Sequence, residues 1–249
     1  MIQKSEAIVL RRMNYGETSQ IITLFTRKKG KVAVLAKGSR MIKSRFGANL
    51  EPLSYIQAVY YHKPTRDLQT LSETTRLLPL PCLLRHPEKI GLAFQMVELV
   101  DAISEVEAVN IPVFNLLLEA LATLNDATQH LQNILFYFEL KIAILFGFSP
   151  HIKKQEVEAI ANDGGWFLLE SGAILPAVAP IQGTAKRAGR AALRALATLT
   201  LSPLETLLHF SLEPSTQNEV RQLIDAYLAH HFEELRRSRT RHVLAQMNP

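Results

Sequence analysis

The residues of this 249-residue chain best suited to chemistry are cations, and they come in groups. Arg27, Lys28, Lys29 and Lys31 surround Gly30. Lys37, Arg40, Lys43 and Arg45 follow in a stretch that also holds Gly38, Ser39 and Ser44. Lysine and arginine on turns neutralise phosphates, while glycine and serine let backbone N–H groups approach the same oxygens. Tyr15, Phe46, Tyr55, Tyr60 and Tyr61 supply aromatic faces for base stacking, each stack being worth about 1–3 kcal/mol. A basic turn can equally be a solvated one that keeps a small domain soluble. Two such turns in one strongly basic segment favour phosphate. A third group, Lys186, Arg187, Arg190 and Arg194, is predicted on an alanine-rich helix near 185–199. Its arginines are spaced i, i+3 and i+7, which puts them on one face. A solvated face is the default there, and additional phosphate or partner contacts are the functional reading. Lys141 is the chief cation of the middle segment, and the run from Arg236 to Arg241 offers one more sequence-independent phosphate contact.

Other chemistry finds no footing. No GxGxxG, GxxxxGK[ST], HExxH or GxSxG pattern occurs. Of eight histidines only His230 and His231 are adjacent. Neighbouring side chains on a helix diverge by about 100°, so the pair reads as a solvated helix end, not a metal clamp. The single cysteine, Cys82, excludes an internal disulfide and a thiolate zinc cluster, fits a reducing compartment, and reads as a small buried hydrophobe between leucines. Glu98, Asp101, Glu105 and Glu107 are expected on the solvated side of helices, so no acid/base pair is nominated and no enzyme is expected. The first six residues include charge, and no apolar stretch followed by a small-residue cleavage site comes after them, which argues against a signal peptide. The most apolar region, 134–146, is interrupted by Glu139 and Lys141 and is too short for a membrane helix. The expected compartment is the cytoplasm.

Charge and periodicity divide the chain. Residues 1–80 carry 14 Lys/Arg against 5 Asp/Glu, a net of +9, whereas 81–180 carry 5 against 12, a net of −7. Apolar and β-branched runs at 5–12, 20–26, 31–37, 54–62 and 68–78 read as strands, separated by turn residues around Gly16, Gly30 and Pro64. Five short strands in about 80 residues suit a small closed barrel, OB-fold or SH3-like. After Pro79 and Pro81 the period becomes helical. Helices are predicted from Pro87, from Asn110 and over 129–146, with capping boxes at Ser202–Glu205 and Thr216–Glu219. An irregular insertion at about 151–180 contains a small hairpin around Gly164 to Leu169. The fold class is therefore α+β, with a basic barrel over 1–80 and a mainly helical domain over 81–249.

One family matches this order of residues. Tyr15-Gly16-Glu17, Leu24-Phe25-Thr26, Gly30, Lys37-Gly38, Lys43-Ser44-Arg45, Leu53 and Leu71-Ser72-Glu73 resemble the N-terminal domain of the RecO recombination mediators. The later Leu145-Phe146-Gly147-Phe148-Ser149-Pro150 resembles that family's helix end before an inserted finger. The resemblance implies an OB-fold barrel joined to a helical domain that binds single- and double-stranded DNA and anneals complementary strands. It further implies docking of the acidic tail of single-stranded DNA-binding protein (SSB) and, with the partner RecR, help in loading recombinase on SSB-coated DNA. An RNA-binding module of the translation apparatus is the alternative. Many members carry two C-x-x-C pairs in the finger. Here Gln155 and Glu158 stand at the first pair and Leu175 and Val178 near the second. No zinc is expected, and the degenerate, cysteine-less finger is expected to pack around Trp166, Phe167, Leu168 and Leu169.

Overall fold

The computed structural model describes residues 1–233 and Leu235. The basic run at 236–241 lies outside the described residues. The alternating runs form β1 (Ile2–Tyr15), β2 (Ser19–Thr26), β3 (Gly30–Ala36), β4 (Tyr55–Tyr61) and β5 (Leu68–Leu78). They close into a barrel in the order β1-β2-β3-β5-β4, sealed by antiparallel pairing of β1 with β4. β3 and β5 pair in parallel. This five-stranded order is that of the OB-fold and decides against the SH3-like alternative. A bulge between Val9 and Arg11 lets β1 serve β4 with its first half and β2 with its second. Inside, Val9, Ile22, Leu24, Val32, Val34 and Ile56 are buried. Phe46 and Leu50, from the long loop between β3 and β4, join the same core.

Two helices complete this first unit. α1 (Pro87–Ile103) opens on a proline, whose missing N–H would be unpaired there in any case. α2 (Ile111–Asp126) is capped by Asn110, which accepts a hydrogen bond from the Val113 N–H at 3.1 Å. Phe114 of α2 lies 6.0 Å from the Phe25 ring and 6.3 Å from Tyr55, so the helix packs on the barrel. Residues 1–126 are consequently one compact unit, which extends beyond the strand-to-helix change near residue 80.

Three expectations are corrected in this unit. Cys82 is exposed, because in the turn after Pro81 it is Leu83 that goes inward. α1 ends at Ile103, so Glu105 and Glu107 stand in the linker to α2, not on a helix. Asp101 is also not a free solvated acid, since it pairs with Arg11 at 3.1 Å and Lys31 at 3.4 Å, whereas Glu107 is exposed and meets His62 at 2.7 Å. The cause is the path of the linker. It runs parallel to the start of β3, where the Glu107 N–H donates to the Lys31 carbonyl at 2.9 Å.

The described residues from 127 onward form a second unit. Its described elements are α3 (Leu131–Leu145), α4 (Lys154–Glu158), β6 (Gly165–Leu168), β7 (Ile174–Pro176), β8 (Ala185–Ala188), α5 (Arg190–Leu201), α6 (Leu204–Leu207) and α7 (Pro214–His231). The stretch expected as a hairpin, 164–169, instead forms one strand, β6, the centre of a three-stranded sheet ordered β7-β6-β8 whose last strand lies past residue 180. Phe167 and Leu169 are buried, Phe167 against Tyr227 at 5.4 Å, while Trp166 and Leu168 are half-buried. Gln155 and Glu158 lie on α4, Leu175 on β7 and Val178 beyond it.

Neither capping box forms. Pro203 is the cap residue of α6, and α7 starts at Pro214, whose fixed φ begins the helix two residues before Thr216. Glu219 instead accepts a hydrogen bond from the Gly189 N–H at 2.8 Å. His231 is not a solvated end either: it stacks on Phe148 at 4.4 Å, and burial holds its pKa below the ordinary histidine value. Glu139 is fully buried and is held by Arg221, which also pairs with Asp225 at 3.0 Å and lies 5.1 Å from the Phe136 ring.

Candidate nucleic-acid interface

Strand β3 separates the two predicted clusters by about 20 Å of extended chain. Arg27, Lys28, Lys29 and Lys31 stand at its start, and Lys37, Arg40, Lys43 and Arg45 lie beyond its end. They are thus at opposite ends of the strand and do not form one patch.

The first cluster is partly spent on the fold. Lys31 extends its Nζ to the Asp101 backbone oxygen at 2.5 Å and to the Asp101 carboxylate, and only 17% of its side chain is exposed. It braces the linker and presents no ammonium for a phosphate. Arg27 pairs with Glu6 at 3.0 Å and lies 6.0 Å from the Phe114 ring. Tyr55 donates to the same carboxylate at 2.7 Å. That hydrogen bond, followed by Arg27, holds the Glu6 pKa below the ordinary carboxylate value, and burial together with Glu6 pushes the Tyr55 phenol up to about 12. Lys28 is exposed. A cavity of about 230 Å³ lies here, lined by Lys4, Ser5, Glu6, Arg27, Lys28 and Gln57.

The second cluster is more open. Lys37, Lys43 and Arg45 are exposed, and none forms an ion pair among the described residues. Gly38, at φ 68°, starts the turn that carries them. Arg40 is exposed but anchored, its Nη1 donating to the carbonyls of Gly16 at 3.2 Å and Glu17 at 3.0 Å. These bonds tie the β3–β4 loop to the β1–β2 turn, so Tyr15, which is 52% exposed, stands near the cations.

The outer faces of β1, β2 and β3 adjoin this loop. Cross-strand register places Met13 opposite Ile21 and Ile21 opposite Leu35. The three form an apolar row, with Met13 itself exposed. Sequence reading missed this row, although the strict in–out alternation of β3 was a usable signal. Of the five aromatics, Tyr15 and Tyr61 are exposed, Tyr55 is half-buried, and Phe46 and Tyr60 are buried and face no solvent. Phe46 is consumed as a core plug, with Arg45 5.0 Å above its ring.

In the second unit the arginines do not share one helical face. Lys186 and Arg187 lie on β8, because pairing with β6 extends the chain as far as Ala188, and Arg187 sits 5.8 Å from the Trp166 ring. Arg190 and Arg194 are on α5 and donate to Asn162 Oδ1 at 2.8 Å and the Glu158 carbonyl at 3.4 Å. Lys141 lies 5.2 Å from the Tyr137 ring on α3. Among the described residues no cluster of His, Cys, Asp and Glu could hold a metal ion, and no helix is long and apolar enough to cross a membrane.

Comparison with known proteins matches both parts of the chain to one family. The model of the family "Recombination protein O N terminal" matches residues 1–77, the barrel, and "Recombination protein O C terminal" matches 84–240. The DNA repair protein RecO of Salinibacter ruber is 41% identical over 249 residues, covering 99% of this chain and 94% of the relative. This chain belongs to the RecO family. The RecO protein of Chloroherpeton thalassium is 31% identical over 257 residues, covering 99% of both chains. That of Exiguobacterium is 32% identical over 247 residues, covering 99% of this chain and 97% of the relative. RecO membership accounts for the order of barrel then helices.

Proposed function

We propose that this RecO-family protein is a DNA repair and recombination mediator that makes and breaks no covalent bond. It binds single- and double-stranded DNA, anneals complementary strands and, with RecR, helps load recombinase on SSB-coated DNA. The observation that carries the reading is the open cation loop, Lys37, Arg40, Lys43 and Arg45, tied to the end of an OB-fold barrel beside the apolar row of Met13, Ile21 and Leu35. Cations of this kind lower the repulsion between two phosphate backbones, and counterion release adds affinity for each. Base pairing then supplies the free energy of annealing. Lys28 and Lys29, at the other end of β3, offer a separate phosphate contact, whereas Lys31 is withdrawn by Asp101. The acidic tail of SSB would meet the exposed Lys186 and Arg187 in the second unit. No zinc takes part, since none of Gln155, Glu158, Leu175 and Val178 offers a thiolate.

The test is annealing of complementary oligonucleotides coated with full-length or tail-less SSB, with and without RecR. Acceleration that needs the SSB tail supports the reading. Failure to anneal or bind DNA, with tighter binding to RNA of equal length, overturns it in favour of the RNA-binding alternative.

A further inference from the structure

We infer that Ile42, together with Met41, is an apolar wedge that enters between adjacent bases of the bound strand. The inference rests on the DNA-binding reading and adds to it a site that acts on base stacking. Ile42 has a relative exposure of 105%, and Met41 is 59% exposed. Two bulky apolar side chains at the tip of one loop serve no core. The core contribution of that loop comes from Phe46 and Leu50, which are buried. The tip is held from both sides. The Arg40 N–H donates to the Thr18 carbonyl at 2.9 Å, Ser39 Oγ donates to Gln20 Oε1 at 3.1 Å, and the Ser44 N–H donates to the Met41 carbonyl at 2.9 Å. Buried Phe46 anchors the far side. Met41 and Ile42 are therefore presented outward from a braced turn.

Charge selects the occupant. Lys37, Arg40, Lys43 and Arg45 flank the tip, and no acid lies between residues 37 and 50. A strand drawn in by its phosphates meets the apolar pair at the level of its bases. Apolar side chains flanked by cations unstack a base step by taking the place of one neighbour. For an annealing protein the consequence is direct: a base held out of its own strand's stack is open to pairing with the complement.

The experiment uses the full chain and single-stranded DNA carrying 2-aminopurine, whose fluorescence rises when it unstacks. The wild type should brighten the probe on binding. Met41→Ser/Ile42→Ser should lose at least half of that rise and bind about tenfold more weakly, roughly 1.4 kcal/mol, with an unchanged salt slope because no cation is removed. Ile42→Leu should behave as the wild type. Both positions are exposed, so thermal melting should not shift. If wild type and double variant bind with the same fluorescence change, the wedge is overturned and the DNA-binding reading stands. If the wild type binds no DNA, both fall. Ile42-dependent binding to phosphatidylglycerol vesicles without any aminopurine change would overturn the wedge in favour of a membrane contact.

Discussion

Replacing Lys37, Lys43 and Arg45 together by alanine tests the cation loop most directly. All three are exposed and free of ion pairs among the described residues, so the substitution removes charge without breaking the fold. Each phosphate contact contributes about 0.7 to the log–log salt slope for a single strand, so the triple variant should lose about 2. Extrapolated from a 1 M reference, that difference corresponds to about 100-fold weaker binding at 0.1 M salt. Between 50 and 200 mM salt, wild-type affinity should fall about 16-fold more steeply than that of the variant. Fluorescence anisotropy of a labelled oligothymidine across that range reads both quantities, and an oligonucleotide of another sequence should show the same loss. A variant with the wild-type slope would falsify the placement of phosphates at this loop, whatever its absolute affinity.

Further outcomes follow from the buried and half-buried charges. Lys31→Met should leave the salt slope within experimental error while lowering stability by about 1–2 kcal/mol in urea unfolding, since Asp101 keeps Arg11 but loses the ammonium that also holds its backbone oxygen; a change of slope would return Lys31 to the phosphate contacts. Ultraviolet titration should find Tyr55 ionising near 12 instead of the ordinary 10, and Tyr55→Phe should remove one such late phenol. Because the folded phenol holds its proton more tightly than the unfolded one, its stabilising contribution is complete below pH 10 and is lost between 10 and about 12. Glu6 works in the opposite sense. Its depressed pKa stabilises the fold above about 4.5 and is lost on acidification, so Tyr55→Phe should raise the pH at which acid unfolding begins. Arg221→Met should cost about 3–5 kcal/mol by taking the guanidinium away from the buried Glu139 carboxylate, and adding Glu139→Leu should recover most of that in the same denaturant curve.

The barrel was legible because its strands are short apolar and β-branched runs punctuated by Gly16, Gly30 and Pro64. Each predicted strand matches the observed one to within a few residues at either end. Barrel closure and the parallel β3–β5 pair depend on contacts distant in sequence, which local periodicity cannot reveal. The fates of the cations were hidden for the same reason. Lys31 and Lys37 read alike along the chain, yet only Lys31 has Asp101, seventy positions later, within reach. Arg187 resembled a helical residue until β8 pairing with β6 overrode the alanine-rich propensity that follows it. Ile42 and Met41 carried no periodic signal, since exposure at a loop tip is set by which neighbours, here Phe46 and Leu50, turn inward.

The linker between α1 and α2 has a practical consequence. β5 joins β3 only from Ala33 onward, so the first turn of β3 relies on residues 105–108 for its remaining neighbour. Gly30 meets that neighbour so closely that an added Cβ would lie 1.9 Å from the Ala108 oxygen. A fragment cut after the last barrel strand would leave this edge of the sheet bare and strip Phe114 from Phe25. Bare edges recruit other edges. Such a fragment would self-associate, and its DNA-binding data would report on aggregates; a cut after Asp126 avoids this.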